Sequence, residues 1–310
     1  MRFISNSTVI DTVGMGDAIT VIRRGLAQWG GGAVANGPRQ RIAVPGRSLN
    51  VMSAIHGVGD AFGVKAYYPH ADNIGGHILL YRMDGTPLAV FDADMLGRLR
   101  TGAMSAIATD FLTASDADDL AVIGSGVQAF TQVEAIASVR TIRAVRVFSP
   151  TADNRRSFCN RIEAELGIGA VEAISPVACV EGARIVVTAT KSATPVLERA
   201  WLASDAHVNA IGANALSRRE LDDQTILEAQ VRVVDDRTQA EKEAAEYVAL
   251  VKDGRLAWSD IVELGQLVSE GVSTAARHLT VFKSLGVAFA DIALAKWVFD
   301  KIDALEGDGP

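Results

Sequence analysis

The sequence has little cysteine and no long apolar run. Its 310 residues include two cysteines, Cys159 and Cys179, which are too few and too isolated for a disulfide framework or a structural zinc site. No stretch approaches the roughly 18 uninterrupted apolar residues of a membrane helix, and the N-terminus lacks the apolar core of a secretory signal. We therefore expect a cytoplasmic protein that does not act at a membrane.

Positive charge is also in deficit. The chain has 30 Lys and Arg against 37 Asp and Glu, which gives a net charge of −7. Recognition of nucleic acid usually requires a basic surface, so we expect no nucleic-acid partner. The histidines show neither i,i+4 pairing nor an acidic residue at ligand spacing, so we expect no metal. These histidines are His56, His70, His77, His207 and His278.

The first hundred residues have the pattern of an open sheet with helices on it. Ile19, Ile22, Leu26 and Trp29 recur at helical spacing and predict an amphipathic helix over 15–29, ended by three glycines. Short apolar or alternating runs separated by turn residues then predict strands of a largely antiparallel sheet. These runs are Arg41–Val44, Val64–Tyr68, Ile78–Tyr81 and Leu88–Phe91.

The pattern changes near residue 114, where short buried strands begin to alternate with helices. Such alternation predicts right-handed βαβ units and a parallel sheet. Strands are expected at 121–123, 144–148, 185–188, 208–211 and 231–235, and helices at 127–139, 154–166 and 287–305. The predicted fold class is α/β, with a doubly wound Rossmann sheet over 114–285 and a second α/β domain over 1–113, on which residues 286–310 pack.

The segment Gly124-Ser125-Gly126-Val127-Gln128-Ala129 has the form G-x-G-x-x-A, and it lies between a predicted strand and a predicted helix. In this context the first glycine permits the tight turn, the second lets the backbone approach a pyrophosphate, and the alanine lets the helix lie against the strand. The pyrophosphate would sit on free N–H groups at the start of the helix, around Val127 and Gln128. The segment predicts binding of NAD or NADP.

The end of the second strand favours NADP over NAD. An acidic residue there binds the ribose 2′-OH of NAD, whereas a nearby arginine suits a 2′-phosphate. Phe148 is followed by Ser149-Pro150-Thr151, without an acid at the strand end, and Arg155 and Arg156 fall in the first turn of the next helix. The alternative is that both arginines are solvated residues of the helix surface.

Several short motifs follow one another over most of the chain. They are Gly63-Val64-Lys65 with Pro69 and Asn73, Leu99–Ala106, Gly124–Ala129, Thr188-Ala189-Thr190 with Pro195-Val196, His207–Ala213 with Arg219-Glu220-Leu221, and Phe282–Gly286 with Asp291. Together they make the chain resemble the ornithine cyclodeaminase/μ-crystallin family. The resemblance implies a homodimer formed through the N-terminal sheet, and a cleft between that sheet and the Rossmann domain.

The resemblance also implies a chemistry and a set of site residues. Members include cyclodeaminases, amino-acid dehydrogenases, cyclic ketimine reductases and a thyroid-hormone-binding crystallin, and all but the last act on a small α-amino or α-imino acid. Arg41, Lys65 and Arg100 would then lie near the substrate carboxylate or the nicotinamide. The predicted cofactor contacts are Gly124, Ser125, Gly126, Val127, Gln128, Ser149, Thr151, Arg155, Thr188, Ala189, Thr190 and Gly212.

The three cations suit an amino-acid or imino-acid substrate. A guanidinium can hold a planar carboxylate through two hydrogen bonds. Lys65 lies in an otherwise apolar strand, where an unpaired lysine would be costly, and it can supply a proton if burial lowers its pKa. Arg41 has an alternative as an exposed strand residue, with Arg39 in its place, and Arg100 has an alternative as a bridge between domains.

The residue after Gly212-Ala213 separates the functions within the family. In the cyclodeaminases this position holds an aspartate that acts as acid and base, whereas here it is Asn214, which exchanges no proton. We therefore predict an NAD(P)H-dependent oxidoreductase acting on an imino or amino acid, with Lys65 and Asn214 as the catalytic residues. An ornithine cyclodeaminase and a non-catalytic binder of a dinucleotide and a small ligand are the alternatives.

Overall fold

A computed structural model of the chain describes residues 1–69, 74–271 and 278–307, so His70 and Asn73 lie outside the described residues. The chain forms two compact units. The first comprises Met1–Ala103 together with Gly286–Pro310, and the second comprises Met104–Leu285. The sequence placed the change of pattern at residue 114, whereas the two units divide ten residues earlier, inside a helix.

The first unit contains a six-stranded sheet with the order β1-β6-β5-β4-β3-β2. Its strands are β1 (Arg2–Ile4), β2 (Val34–Val44), β3 (Arg47–His56), β4 (Ala61–Pro69), β5 (Ile74–Arg82) and β6 (Pro87–Asp92). Only β1 and β6 run parallel among these pairings, so the sheet is largely antiparallel, as predicted. Side chains alternate between a buried and a more exposed face along β3 and β4.

Helices cover one face of this sheet. The helices of the first unit are α1 (Asn6–Thr12), α2 (Met15–Leu26), the first half of α3 (Ala93–Leu112) and α11 (Ala288–Gly307). The helix predicted over 15–29 ends at Leu26, because a short 3₁₀ turn at Trp29–Gly31 and a left-handed Gly32 redirect the chain. Helix α11 packs against β2 to β6 and against α2, and its apolar side chains are buried there.

The second unit contains an eight-stranded parallel sheet with the order β13-β12-β14-β11-β10-β7-β8-β9. Its strands are β7 (Asp119–Ile123), β8 (Ala144–Phe148), β9 (Gly169–Glu172), β10 (Ile185–Thr188), β11 (His207–Ala210), β12 (Val231–Val234), β13 (Val262–Glu263) and β14 (Thr280–Lys283). The chain runs outward from β7 to β9 and then returns to β10 on the other side of β7. Rossmann folds bind dinucleotides in a crevice at the carboxyl ends of the strands, at the point where the strand order reverses in this way.

Both faces of the parallel sheet are buried. Alternate residues of β7 and β10 belong to two separate apolar clusters, so that on β7 Leu120 and Val122 face one cluster and Ala121 and Ile123 face the other. The remaining helices are α4 (Val127–Ala137), α5 (Ala152–Leu166), α6 (Pro176–Val180), α7 (Asp223–Glu228), α8 (Arg237–Glu243), α9 (Ala245–Lys252) and α10 (Leu264–Glu270). The predicted fold class, a Rossmann sheet with a second α/β unit, is confirmed. Among the described helices, none has the length and apolar character needed to cross a bilayer.

Candidate active site

Lys65 lies in the middle of the first sheet and is 1% exposed. Its Nζ donates a hydrogen bond of 2.8 Å to Oδ1 of Asp291, a buried residue in the first turn of α11. Burial is the largest influence on Lys65 and lowers its pKa below the usual range for lysine. The Asp291 carboxylate opposes this shift, and the positive charges of Arg100 and Arg39 add to it.

Two arginines lie in the same cluster as Lys65 and Asp291. Arg100 Nε lies 3.3 Å from the same Oδ1 that accepts the hydrogen bond from Lys65. Arg39 Nη2 donates to the carbonyl of Gly286 at 3.1 Å. Arg39, Lys65 and Arg100 are all buried. Among the described residues, no hydrogen-bond acceptor meets the buried Nη1 of Arg100. The cluster therefore offers a buried guanidinium donor of Arg100, which suits an anionic ligand.

Two glycines make room for these cations. A Cβ at Gly97, inside α3, would stand 2.9 Å from Lys65 Nζ. Gly286 has φ +79°, and a Cβ there would stand 2.5 Å from Arg100 Nη1. Glycine inside a helix lowers stability by about 1 kcal/mol relative to alanine. Gly97 was therefore a signal in the sequence that another side chain, here Lys65, packs closely against the helix.

The structure brings together two of the three predicted substrate residues, Lys65 and Arg100, and adds Arg39 to them. Arg41 is exposed, and its Nε donates to Asn50 Oδ1 at 3.0 Å. Asn50 pairs with Tyr67 on β4, which places Arg41 on the same face of the sheet as Lys65. Arg41 is therefore exposed and Arg39 is buried, which agrees with the alternative that the sequence left open for these two arginines.

The predicted dinucleotide loop joins β7 to α4. Gly124 has φ +122°, and a Cβ there would stand 2.5 Å from the carbonyl oxygen of Ala189, so the turn needs glycine. Gly126 is the N-cap of α4 and is exposed, and a Cβ there would meet no atom within 4 Å. The first turn of α4 contains no acidic residue. Open space above free N–H groups fits a pyrophosphate.

The other predicted cofactor residues lie at the carboxyl ends of neighbouring strands. Thr188 is the last residue of β10, Ala189 and Thr190 follow it, and Gly212 follows β11. The backbone N–H of Ala189 donates to Ile123 on β7, and that of Ile211 donates to Thr188, so these loops are joined at one edge of the sheet. Ser149 and Thr151 follow β8 next to this edge.

Glu220 ties two of these loops together, and the sequence pointed to it only as part of a motif. One carboxylate oxygen accepts from the backbone N and the hydroxyl of Thr190, at 2.7 and 2.9 Å. The other accepts from the backbone N of Gly212 and Ala213, at 2.7 and 3.1 Å. Glu220 is fully buried. It thus fixes the backbone immediately before Asn214, which is half-buried in the loop after β11.

The predicted 2′-phosphate residue, Arg155, lies in α5 at the end of β8. Its Nη1 donates to the Ser149 carbonyl at 2.6 Å, and its Nε is 3.6 Å from Glu172 at the end of β9. Within the described residues, no group of three His, Cys, Asp or Glu side chains is arranged to hold a metal ion.

Comparison with known proteins identifies close relatives. A model of the ornithine cyclodeaminase/mu-crystallin family matches residues 2–306. Ketimine reductase mu-crystallin of Rattus norvegicus is 34% identical over 261 residues, which are 81% of this chain and 80% of the relative.

Two solved structures have the same fold over 99% of this chain. Delta(1)-pyrroline-2-carboxylate reductase of Thermococcus litoralis, in complex with NADH and L-proline, has a TM-score of 0.93 at 28% identity and is covered over 98% of its length. An archaeal alanine dehydrogenase dimer with bound NAD has a TM-score of 0.90 at 26% identity and is covered over 97%. These relatives confirm the predicted class of enzyme, an oxidoreductase.

Proposed function

Because the chain belongs to the ornithine cyclodeaminase/mu-crystallin family, as its motifs predicted, we propose that it reduces the C=N bond of a small α-imino acid with NAD(P)H, or runs the reverse reaction. The observation that carries the proposal is the buried cluster in which Lys65 and Arg100 share the Asp291 carboxylate, with Arg39 close enough to act on Lys65. Two buried cations on one carboxylate, with a guanidinium donor on Arg100 that is unmet within the described residues, suit an anionic substrate.

The substrate carboxylate binds to the arginines. The Arg100 guanidinium, with its buried Nη1 donor, is the group best suited to hold it. Arg41, exposed on the same face of the sheet, adds a second guanidinium at the rim. A bound carboxylate would give the buried Nη1 of Arg100 the acceptor that it lacks among the described residues.

Lys65 supplies the proton that accompanies reduction. Burial lowers the pKa of Lys65, so its ammonium group is a stronger acid than that of an exposed lysine. The Asp291 carboxylate holds Nζ at 2.8 Å and fixes its position. A bound reduced nicotinamide would supply the hydride for the imine carbon, and Lys65 Nζ donates the proton to the imine nitrogen. Asn214 orients the imine nitrogen or a water through its amide.

The residues around the G-x-G-x-x-A loop would hold the cofactor, with the pyrophosphate at the N-terminus of α4 and the nicotinamide near Thr190 and Gly212. Arg155 favours NADP, because its guanidinium lies at the end of β8 and no acidic residue stands at Ser149, Pro150 or Thr151.

NADPH should therefore bind more tightly than NADH, by at least about tenfold. A charge-assisted pair between the largely buried Arg155 guanidinium and the 2′-phosphate contributes about that much to the affinity. Ser149→Asp should reverse the order, since an acid at the strand end repels a 2′-phosphate and accepts from a 2′-OH. Fluorescence titration of both reduced cofactors measures this. Equal affinities in the wild-type protein would contradict the assignment of NADP.

The face of the first sheet that lies opposite to α11 supports a homodimer. It presents apolar side chains on neighbouring strands, opposite to the face that α11 covers. They are Ile42, Leu49, Ile55, Phe62 and Tyr81, of which the last two stack with ring centres 5.1 Å apart. A patch of this kind on an open sheet marks an interface. Light scattering at micromolar concentration should give the mass of two chains, and a monomeric mass would contradict this proposal.

The test of the function is a panel of cyclic imino acids with five- and six-membered rings, pyruvate with ammonia, and L-ornithine. The consumption of NADPH is followed with each imino acid, and the release of ammonia is followed with L-ornithine in the presence of NAD⁺ or NADP⁺, because a cyclodeaminase first oxidises the amine. We expect stoichiometric oxidation of NADPH with at least one imino acid and no ammonia from ornithine. Ammonia release without net consumption of cofactor would identify a cyclodeaminase, and tight cofactor binding with no turnover of any substrate would identify a passive binder.

A further inference from the structure

Glu172, the last residue of β9, stands between the two arginines at the start of α5. Its Oε2 lies 3.6 Å from Nε of Arg155, and its Oε1 lies 3.5 Å from Nε of Arg156. Strand β9 pairs with β8, so this carboxylate reaches the end of β8 from the neighbouring strand. It is one-third exposed and therefore remains open to displacement or competition by a ligand.

The two arginines are held differently. Arg155 is 17% exposed, its Nη1 donates to the Ser149 carbonyl, and its guanidinium lies 5.8 Å from the centre of the Phe148 ring. Arg156 is 63% exposed, and its ion pairs within the described part of the chain are with the carboxylates of Glu172 and Asp153. Arg155 is thus fixed at the strand end, where the ribose 2′ position of a bound dinucleotide falls in Rossmann folds.

We propose that Glu172 sets the discrimination between NADPH and NADH, by competing with the 2′-phosphate for Arg155 and Arg156. This inference rests on the proposed binding of a dinucleotide at the G-x-G-x-x-A loop. A 2′-phosphate at Arg155 brings two negative charges towards the Glu172 carboxylate, and that repulsion weakens NADPH binding. NADH carries no such phosphate, so its affinity does not depend on Glu172. The wild-type protein therefore favours NADPH less than its two arginines alone would allow.

The alternative role for Glu172 is to accept a hydrogen bond from the ribose 2′-OH of NADH, as an acid at the end of the second strand does. Glu172 lies on the third strand instead, and both of its oxygens face arginines. Removing the charge of Glu172 distinguishes the two roles. Competition predicts tighter binding of NADPH, whereas a ribose contact predicts weaker binding of NADH.

The experiment is equilibrium titration of NADPH, NADH, 2′,5′-ADP and 5′-AMP onto the full chain and its Glu172→Gln variant. We expect the Kd for NADPH and for 2′,5′-ADP to fall on the order of tenfold at low ionic strength, with less effect at high salt. The Kd for NADH and for 5′-AMP should stay unchanged, which also shows that the variant is folded. Asp153→Asn is the matched control, because Asp153 contacts Arg156 at 3.7 Å but is 89% exposed, and it should change no Kd by more than about twofold.

Two results would overturn the proposal. Weaker NADH binding by Glu172→Gln would assign Glu172 to the ribose hydroxyl, and unchanged NADPH binding would show that the carboxylate does not compete. Failure of the proposed function itself has a different signature, because then neither NADPH nor NADH binds the wild-type protein.

Discussion

Replacing Lys65 by alanine should abolish imine reduction, with a fall in kcat/KM of at least ~10²-fold, the usual contribution of a general acid. The variant loses the proton donor and also leaves Asp291 beside Arg100 without its closer partner. Steady-state rates with NADPH and the best imino acid of the panel measure the effect. The Kd for NADPH should stay within about twofold, because the proposed cofactor contacts lie on other strands.

Two further variants separate chemistry from folding. Lys65→Arg keeps a positive charge beside Asp291 but cannot release a proton near neutral pH. In the wild-type protein the acid form of Lys65 is lost as pH rises through its lowered pKa, so the rate should fall at a pH below that at which an ordinary lysine titrates. Lys65→Arg should lose this pH dependence together with most of the rate. Lys301 is an exposed lysine of the same unit, and the Lys301→Ala control should reduce the imino acid at the wild-type rate. A Lys65→Ala variant that is folded and still active would refute the role of Lys65.

Asn214→Asp should create or raise the deamination of L-ornithine, while the wild-type protein releases little or no ammonia from it. A cyclodeaminase must protonate a leaving amine, and an asparagine in place of the acid costs ~10²–10⁴ in rate. The aspartate would stand directly after the loop that Glu220 fixes through the backbone N of Gly212 and Ala213. Ammonia release and proline formation, each measured against wild type, test this prediction.

Asn214→Ala is the matched control for this experiment, because it removes the amide without adding an acid. It should lower imine reduction and produce no ammonia from ornithine. If the wild-type protein converts ornithine to proline at an ordinary enzymatic rate, the assignment of a reductase fails and the lyase takes its place.

The fold followed from the sequence where local pattern decides structure. The alternation of short apolar runs with helices predicted the Rossmann sheet, and Gly124 and Gly126 stand at the turn that their spacing indicated. Strand β3 and the long helix α3 were not predicted as elements. Helix α3 carries glycine, threonine and serine among its alanines and spans both units, so its pattern is not that of a helix with one apolar face.

The site followed from the sequence only in part, because its contacts join distant segments. Lys65 and Arg100 could be named from motifs, but their shared partner Asp291 is 226 residues from Lys65 along the chain. Arg39 and Arg41 differ by two positions, yet Arg39 is buried and Arg41 is exposed, and the pairing of β2 with β3 is irregular between Gly37 and Gln40. Strand pairing of this kind depends on packing across the whole sheet, which a local pattern does not specify.

The central claim is that this protein delivers hydride to the carbon of an imine and consumes the cofactor. The most direct measurement supplies NADPH deuterated at the transferring position of the nicotinamide, together with a cyclic imino acid, and analyses the amino-acid product by mass spectrometry and NMR. A reductase gives a product with one deuterium at Cα for each NADPH oxidised. An amino acid without deuterium, or one formed with no net oxidation of NADPH, would contradict the claim.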